Sequence, residues 1–487
     1  MQVIIACTFL IHLSYLKCLR LSKAIYPIVG KTVGGKKSNM KLLAFFTCIC
    51  LASCATRQAE QYDLIISNVN LIDGTGNPIQ QETNIYITGD KIAKIEAGKI
   101  NAQNNVIDGT GKYVIPGLFD CHTHTGDYKG DFPRFTHFGV TSILVTGGSK
   151  CSNEYFAEMS AMGQQDSLPA PRVFHTSQHF TMEGKHPVKT YSSKDWIDGQ
   201  TVFLLKDTLQ IESIVEQVAQ YPIVGIKLTI EDGPFPPFVD RMPQNFVNKV
   251  VKEATKKGLE VFVHASDNIE FAMAQSAGVK NFLHYVMIDL DWERDADIIH
   301  GLAENHASIV TTLMLKKSWL YPLRPDWLHR LEQSKIYDRE ELAYLTDPAR
   351  KGKSFGILKA RKFMTDENPP TLLSLISPQM EDLKVLNRDG INVTLGTDTG
   401  NDFILPGISL HEEMQLMELG GFTPMEIIKM GTHNAAKMLH QLEHLGTIEV
   451  AKYADMIILD RNPLDSIANT RAINTVIKNG RIQKRME

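Results

Sequence analysis

The body of this chain contains little cysteine and shows no excess of either charge. Five of the seven cysteines lie before residue 55, which leaves only Cys121 and Cys151 in the remainder. Two cysteines cannot supply a disulfide framework, so the fold must be stabilised by its hydrophobic core. The 51 Lys and Arg residues are balanced by 55 Asp and Glu residues, for a net charge of -4. This balance, without a basic cluster interleaved with aromatics, argues against nucleic acid as a partner.

A long apolar run near the start is also absent. The stretch from Leu42 to Ser53 is too short to cross a bilayer core, which needs about 20 residues. It follows Met40-Lys41 and ends in small residues before Cys54, a pattern typical of a signal peptide. Residues 40–54 resemble the signal peptide of a bacterial lipoprotein, which implies cleavage before Cys54 and lipidation there. We therefore expect a lipid-anchored, periplasm-facing protein of the bacterial cell envelope, with residues 1–39 as an unfolded upstream leader.

Both ends of the body have the texture of short strands. Residues 62–115 and 440–485 alternate apolar and polar positions between Asp-Gly, Thr-Gly and Asn-Gly turns, which favours antiparallel pairing. The two pieces flank a long central region, and the chain is long enough for one large and one smaller domain. We therefore predict a small β-sandwich domain built from both ends of the chain.

The central region, residues 116–439, alternates short apolar runs with helical patterns. Eight runs are candidate strands: 114–120, 140–146, 172–177, 224–230, 260–266, 281–286, 308–315 and 391–398. Eight strands with helical connections predict an α/β fold, a (β/α)₈ TIM-type barrel. In such barrels the functional residues lie at the carboxyl ends of the strands.

Polar side chains that bind metals cluster at these strand ends. The first strand runs into DCHTHTGD, and five predicted strands together supply six candidates: His122, His124, Lys227, His264, His284 and Asp398. Imidazole and carboxylate are ligands that zinc prefers. Taken singly, each has a structural explanation, such as a hydrogen-bonded core histidine, a salt-bridged lysine or an aspartate cap. Their conjunction at one face predicts a metal site.

The same pattern resembles the amidohydrolase superfamily. The segment VIPGLFDCHTH is similar to the superfamily's PGxxDxHxH motif, and MGTHNAAKMLHQLEHLGTIEVAKYADMIILDRNPL is similar to its closing stretch. The contexts IKL, HA, LH and GTDTG look most like the imidazolonepropionase and prolidase-like branch.

The resemblance implies a dinuclear metal centre, most readily of two Zn²⁺ ions. His122, His124 and Asp398 would bind one ion, and His264 and His284 the other. Lys227, carboxylated by CO₂, would bridge them, since an ammonium group cannot ligate a cation. Hydroxide held between two such ions would attack a carbonyl while Asp398 transfers the proton to the leaving nitrogen. The implied reaction is hydrolysis of an amide, peptide or cyclic amide bond in a small molecule.

Two further residues are candidates for substrate binding. His186 lies about where the prolidase-like branch has a histidine in a Gly-rich loop, although this chain has GKHP in place of GGHG. Tyr285 follows His284 and is a candidate donor to a substrate carbonyl, or a packing residue.

Two alternative functions, and the oligomeric state, remain open at this level. A deaminase on the same scaffold would use one metal ion, and there Lys227 would be an unmodified partner of Asp398 or Glu231. Such deaminases typically place a glutamate where this chain has Asp267. The other alternative is an inactive, lipid-anchored ligand-binding protein, which would have no need for all six candidates.

Overall fold

The computed structural model describes most of the chain after the predicted signal peptide. The described residues are 61–100, 104–148, 151–165, 169–191, 195–233, 237–321, 324, 326–327, 336–337, 340, 342–343 and 371–486. The predicted leader, the signal peptide and Cys54 lie outside them. Residues Tyr62–Glu487 form one compact unit. Within the described ranges, no helix combines the length and the apolar character needed to cross a membrane.

The strands fall in two groups, one at the ends of the body and one in its centre. In chain order they are β1 Leu64–Leu71, β2 Gln80–Thr88, β3 Lys91–Ala97, β4 Val106–Asp108, β5 Tyr113–Pro116, β6 Leu118–Thr123, β7 Val140–Val145, β8 Arg172–His175, β9 His179–Thr181, β10 Val202–Leu204, β11 Gly225–Thr229, β12 Glu260–His264, β13 Asn281–Phe282, β14 Ser308–Val310, β15 Asn392–Thr394, β16 Met456–Leu459, β17 Ile473–Lys478 and β18 Arg481–Ile482.

Helices separate most of the central strands. They are α1 Tyr128–His137, α2 Asn153–Gly163, α3 Ile211–Val218, α4 Gln244–Lys256, α5 Asn268–Ser276, α6 Ala296–Glu304, α7 Met314–Ser318, α8 Leu372–Arg388, α9 Ile408–Leu419, α10 Pro424–Lys429 and α11 Ala435–Met438. A π-helical turn, Met430–Asn434, joins the last two. Helix α4 shows the usual amphipathic pattern, because Val247, Val250 and Ala254 on one face are buried.

Strands from the two ends of the body pair in one eight-stranded sheet. Its order is β18-β17-β16-β5-β1-β2-β3, with β4 beside β1. The two ends meet where β5 pairs antiparallel with β16, for example Ile115 with Ile457. The described strands of this region therefore lie in a single sheet, whereas the sequence predicts two sheets in a sandwich. The sandwich and the exact domain boundaries stay predictions.

The central strands form two parallel sheets, ordered β6-β7-β8 and β10-β9-β11-β12-β13-β14-β15. Backbone hydrogen bonds continue between them. Val224 N–H donates to His175 O at 2.9 Å, which connects β8 with β11, and Cys121 N–H donates to Leu395 O at 3.0 Å, which connects β6 with the segment after β15. This α/β arrangement is consistent with a TIM-type barrel.

Two predicted strands differ from those observed. The sequence predicts one strand over 114–120, but the chain changes sheets at Gly117, between β5 and β6. A Cβ atom at Gly117 would lie 2.1 Å from Thr141 Oγ1, so a larger residue at this crossing point would force Thr141 or the backbone to shift. The predicted strand 308–315 ends at Val310, and α7 begins at Met314. The buried carboxylate of Glu413 accepts the N–H of Met314 at 2.7 Å and so stabilises this helix start.

Candidate metal centre

The six candidates predicted at the strand ends lie together. His122 and Lys227 are within β6 and β11, His264 ends β12, and the remaining three follow their strands by one to four residues. The ring of His284 is central, with centroids 4.5 Å from that of His122 and 4.3 Å from that of His264. Parallel strands bring these side chains together because their carboxyl ends lie at the same edge.

His122 and His124 direct the same ring nitrogen toward Asp398. Their Nδ1 atoms lie 2.9 Å from Leu283 O and 2.7 Å from Gly147 O. A carbonyl oxygen only accepts, so the proton of each neutral ring is on Nδ1 and Nε2 carries a lone pair. The two Nε2 atoms are 3.2 Å apart, and Asp398 Oδ1 lies 2.9 Å from that of His124. Three electron-rich atoms thus converge, an arrangement that a bound cation would stabilise.

His264 and His284 form the second half of the cluster. His264 Nδ1 lies 2.9 Å from His284 Nε2. On its other side, His264 Nε2 contacts Glu231 Oε2, and His284 Nδ1 lies 3.1 Å from Thr312 Oγ1. Because the Glu231 carboxylate accepts a hydrogen bond from His264 Nε2–H, the proton of the neutral ring is on Nε2, and Nδ1 faces His284 as a lone pair. His264 is therefore arranged to ligate through Nδ1, and His284 presents Nε2 beside it.

Burial favours the neutral form of three of the four imidazoles. It lowers the pKa of His122, His264 and His284 well below the ordinary value, and repulsion from neighbouring imidazoles and from Lys227 adds to the effect. Neutral imidazole is the form of histidine that binds metals.

Lys227 is fully buried among the histidines. Within the part of the chain that the structure describes, its Nζ has no hydrogen-bond partner. Burial lowers the pKa of the Lys227 amine to about 7, and the nearby carboxylates of Asp398 and Glu231 only partly oppose this. An unpartnered buried amine costs several kcal/mol unless it is neutralised or modified. A salt-bridging role with Asp398 or Glu231 therefore receives no support from this geometry.

Two residues of the cluster have a strained backbone. Asp398 has φ of 65° and Thr312 has φ of 47°. Aspartate tolerates this left-handed region, but a β-branched threonine rarely adopts it. Such strain costs about 1–3 kcal/mol and concentrates at functional sites. Thr312, which supports His284, is a site residue that sequence reasoning missed, because no local pattern announced it.

Three histidines lie at the end of β8 and in the segment that follows it, and their surroundings differ. The ring of His186 is 5.0 Å from that of His264, and its Nδ1 lies 2.6 Å from Thr190 Oγ1. The ring of His179 stacks on that of His124 at 6.5 Å. The ring of His175 instead packs against Phe156 of α2 at 5.7 Å. His186 and His179 therefore border the cluster, whereas His175 faces a helix.

Tyr285 points away from the cluster. Its hydroxyl donates to Asp382 of α8 at 2.9 Å, and its ring packs against that of Phe271 of α5. Neighbouring side chains of an extended chain point to opposite sides, so Tyr285 faces the helices while His284 faces the cluster. This placement favours the packing role considered for Tyr285 and gives its predicted substrate role no support.

Glu231, which the sequence suggested only as a partner of Lys227, and Ser266 are further neighbours of His264. Ser266 Oγ donates to Glu231 Oε2 at 2.8 Å. Glu231 is buried, and burial raises its pKa. Its position four residues after Lys227, beyond the same apolar strand, was a usable signal. Only the fold, however, brings it to His264, which is 33 positions further along the chain.

The cluster of imidazoles, carboxylates and one unpartnered buried amine fits divalent metal ions. The side chains of His122, His284 and Asp398 are close enough to share one ion. The protein is thus an α/β protein with a site suited to metal binding. Residues 113–483 match the model of the Amidohydrolase family, and the chain belongs to that family. Its members are metal-dependent hydrolases acting on carbon–nitrogen bonds. The predicted family resemblance is confirmed.

Individual relatives differ in what their names say they act on. A 5-methylthioadenosine/S-adenosylhomocysteine deaminase of Thermoanaerobacter pseudethanolicus is 24% identical, with 86% of this chain and 93% of the relative covered. An imidazolonepropionase of Alkaliphilus oremlandii is 25% identical, with 83% and 90% covered. Among solved structures, a Xaa-Pro dipeptidase with bound methionine matches with a TM-score of 0.65 at 22% identity, over 86% of this chain and 99% of that one. The likeness to the solved structure shows the fold, and none of these likenesses establishes a particular reaction.

Proposed function

We propose that this protein hydrolyses a C–N bond, in an amide, a peptide or a cyclic amide, at a centre of two divalent metal ions, most readily Zn²⁺. The observation that carries the proposal is the pairing of ring nitrogens: His122 Nε2 with His124 Nε2 and Asp398, and His264 Nδ1 with His284 Nε2. Two adjacent pairs of imidazoles, with one carboxylate beside the first pair, offer enough ligands for two ions. The parallel strands would position this centre at the mouth of a closed (β/α)₈ barrel.

Lys227 would join the two halves as a bridging anion. Its depressed pKa favours the neutral amine near neutral pH, and a neutral amine adds to CO₂ to form a carbamate with release of one proton. The carbamate group would provide two oxygen atoms that can bind metal ions at the end of the Lys227 side chain, where the unmodified amine has no oxygen. Its negative charge would offset the positive charge of the ions.

Bound divalent ions would lower the pKa of a water molecule and polarise the substrate carbonyl. Asp398 is the residue placed to move the proton, because its Oδ1 lies between His124 and His122 at 2.9 and 3.5 Å from their Nε2 atoms. It would accept the proton of the attacking water and deliver it to the leaving nitrogen. His186, beside His264, would contact the substrate.

A mononuclear deaminase is the second candidate, favoured by the likeness to the deaminase of Thermoanaerobacter pseudethanolicus. The position where such enzymes carry a proton-transferring glutamate is Asp267. Here Asp267 caps α5, accepting the N–H of Glu270 at 2.9 Å, and pairs with Arg241. A carboxylate engaged in this way is poorly placed to shuttle protons, so we favour hydrolysis.

Metal analysis with a substrate panel separates these functions. Protein purified from zinc-supplemented culture is expected to contain two metal ions per chain and to hydrolyse a member of a dipeptide, acyl-amino-acid and lactam panel. Lys227→Ala and Asp398→Asn should both lose activity, and only the lysine variant should also lose one metal ion. One metal ion with ammonia release from an aminated heterocycle would support the deaminase, and zinc-loaded protein without any turnover would support the inactive binding protein.

We also propose that a lipid on Cys54 anchors the protein in the bacterial cell envelope, facing the periplasm. The support for this proposal is the sequence of residues 40–54 alone. A small-molecule hydrolase held there would act on substrates that reach the periplasm.

A further inference from the structure

The buried carboxylate of Glu231 lies directly behind His264, on the side away from the second imidazole of its pair. Glu231 is 2% exposed, and its Oε2 contacts His264 Nε2 while accepting a hydrogen bond from Ser266 Oγ at 2.8 Å. The opposite ring nitrogen, His264 Nδ1, lies 2.9 Å from His284 Nε2. One ring nitrogen of His264 therefore contacts a carboxylate, and the other faces the proposed metal centre.

The other three imidazoles have weaker partners on the nitrogen away from the centre. The Nδ1 atoms of His122 and His124 face backbone carbonyl oxygens, and Nδ1 of His284 faces the hydroxyl of Thr312. A carboxylate that accepts the second N–H of a ligating histidine fixes the tautomer and ring orientation and makes the ligating nitrogen more basic. Among these four imidazoles, His264 is thus the one whose outer nitrogen is hydrogen-bonded to a carboxylate, since Asp398 Oδ2 lies 4.0 Å from His284 Nδ1.

We infer that Glu231 is a positioning residue of the metal centre, which holds His264 with its proton on Nε2 so that Nδ1 is the metal ligand. This inference rests on the proposed dinuclear function and deepens it. Glu231 itself touches neither substrate nor reacting atoms in this role. Its effect is on the affinity and geometry of the metal ion that His264 and His284 share.

A second carboxylate fixes the distance between Glu231 and its partners. Glu270 accepts the backbone N–H of Asp232 at 3.1 Å and that of Ser266 at 2.7 Å. These residues follow β11 and β12, so one buried side chain ties together the two strand ends that carry Glu231 and His264. Arg241 Nε holds Glu270 Oε1 at 3.0 Å from the outside. The support of His264 is therefore part of a connected network.

The test compares Glu231→Gln with a matched glutamate far from the centre. Glu253, on α4, is equally buried and is paired with Lys249 at 2.8 Å, so Glu253→Gln changes the same functional group elsewhere. Chelator-stripped proteins are titrated with Zn²⁺ in competition with a chromophoric chelator. Glu231→Gln should bind one of its two equivalents of zinc about 10–100-fold more weakly, while Glu253→Gln should match the wild type. Co²⁺-loaded Glu231→Gln should also show an altered visible spectrum.

The outcomes distinguish this inference from the proposed function. Wild-type protein that binds fewer than two equivalents contradicts the dinuclear centre. Wild-type protein with two equivalents, together with unchanged zinc affinity and an unchanged cobalt spectrum in Glu231→Gln, overturns the role of Glu231. Nitrogen-15 histidine NMR of the zinc-loaded wild type does not depend on the folding of any variant. It should show His264 protonated on Nε2 and metal-bound on Nδ1, and the reverse assignment would overturn the inference.

Discussion

Replacement of Lys227 by methionine should stabilise the metal-free protein. Lys227 is fully buried, and its Nζ has no hydrogen-bond partner within the described residues. The unfolded chain would titrate this amine near 10.5, whereas burial lowers its pKa to about 7 in the folded state. Between these pH values the unfolded chain holds more protons, so the free energy of unfolding of the wild type rises with pH across this window.

The size of the effect follows from the two pKa values. Each pKa unit corresponds to about 1.4 kcal/mol, so the lysine destabilises the metal-free fold by about 4 kcal/mol at pH 7 and about 2 kcal/mol at pH 9. Methionine has a similar shape without the charge, so Lys227→Met should recover most of this difference. The variant's advantage should therefore shrink as the pH rises.

Urea unfolding of chelator-treated protein in CO₂-depleted buffer, at pH 7 and pH 9, measures this advantage. Lys316→Met is a matched control, because Lys316 is also buried but donates to Leu375 O at 2.7 Å and to Gln379. Its substitution removes hydrogen bonds and should give a smaller gain. A Lys227→Met protein no more stable than the wild type at pH 7, or with an advantage independent of pH, would refute the reasoning. With zinc and bicarbonate both present, the order should reverse, since only the wild type can then form the bridging carbamate.

Three further predictions concern other residues. Asp398→Asn should fold normally, because asparagine also tolerates positive φ, yet lower kcat about 10²–10⁴-fold, and wild-type turnover would exclude proton transfer by Asp398. Burial lowers the pKa of His411 from 6.5 in the unfolded chain to about 4 in the folded protein. Between these values the unfolded chain holds more protons, so the free energy of unfolding is highest above pH 6.5 and falls as the pH drops toward 4. In urea titrations across this range, the free energy of unfolding of His411→Gln should change with pH by up to about 3 kcal/mol less than that of the wild type. An equal change in both proteins would contradict this account. Cys54→Ala should abolish incorporation of radiolabelled fatty acid in cells, and continued labelling would argue against lipidation at Cys54.

The ligand candidates were predictable because local periodicity and strand position mark them. His122 and His124 alternate along one strand, which places both on the same face. Lys227 and His264 lie in or at the end of short apolar strands, where a solvated side chain would not be expected. The structure brings all of them together with His284 and Asp398. Their roles as ligands remain predictions until metal binding is measured.

The same periodicity would have separated Tyr285 from the cluster. It directly follows His284, so the two side chains point to opposite sides of an extended segment, and the Tyr285 hydroxyl reaches Asp382 on a helix. The change of sheets at Gly117 could not be read locally, since it depends on the close approach of Thr141. The early end of the strand at Val310 depends likewise on a distant carboxylate, that of Glu413.

The sequence by itself determined which metal-binding residue types stand at the strand ends, because residue type and spacing are local properties of the chain. Only the tertiary structure decided which atom of each ring faces the centre. Ring orientation and proton position depend on partners brought from elsewhere in the chain: Leu283 O for His122, Gly147 O for His124 and Glu231 for His264. A histidine becomes a ligand through the nitrogen that its neighbours leave without a proton, and those neighbours are chosen by folding.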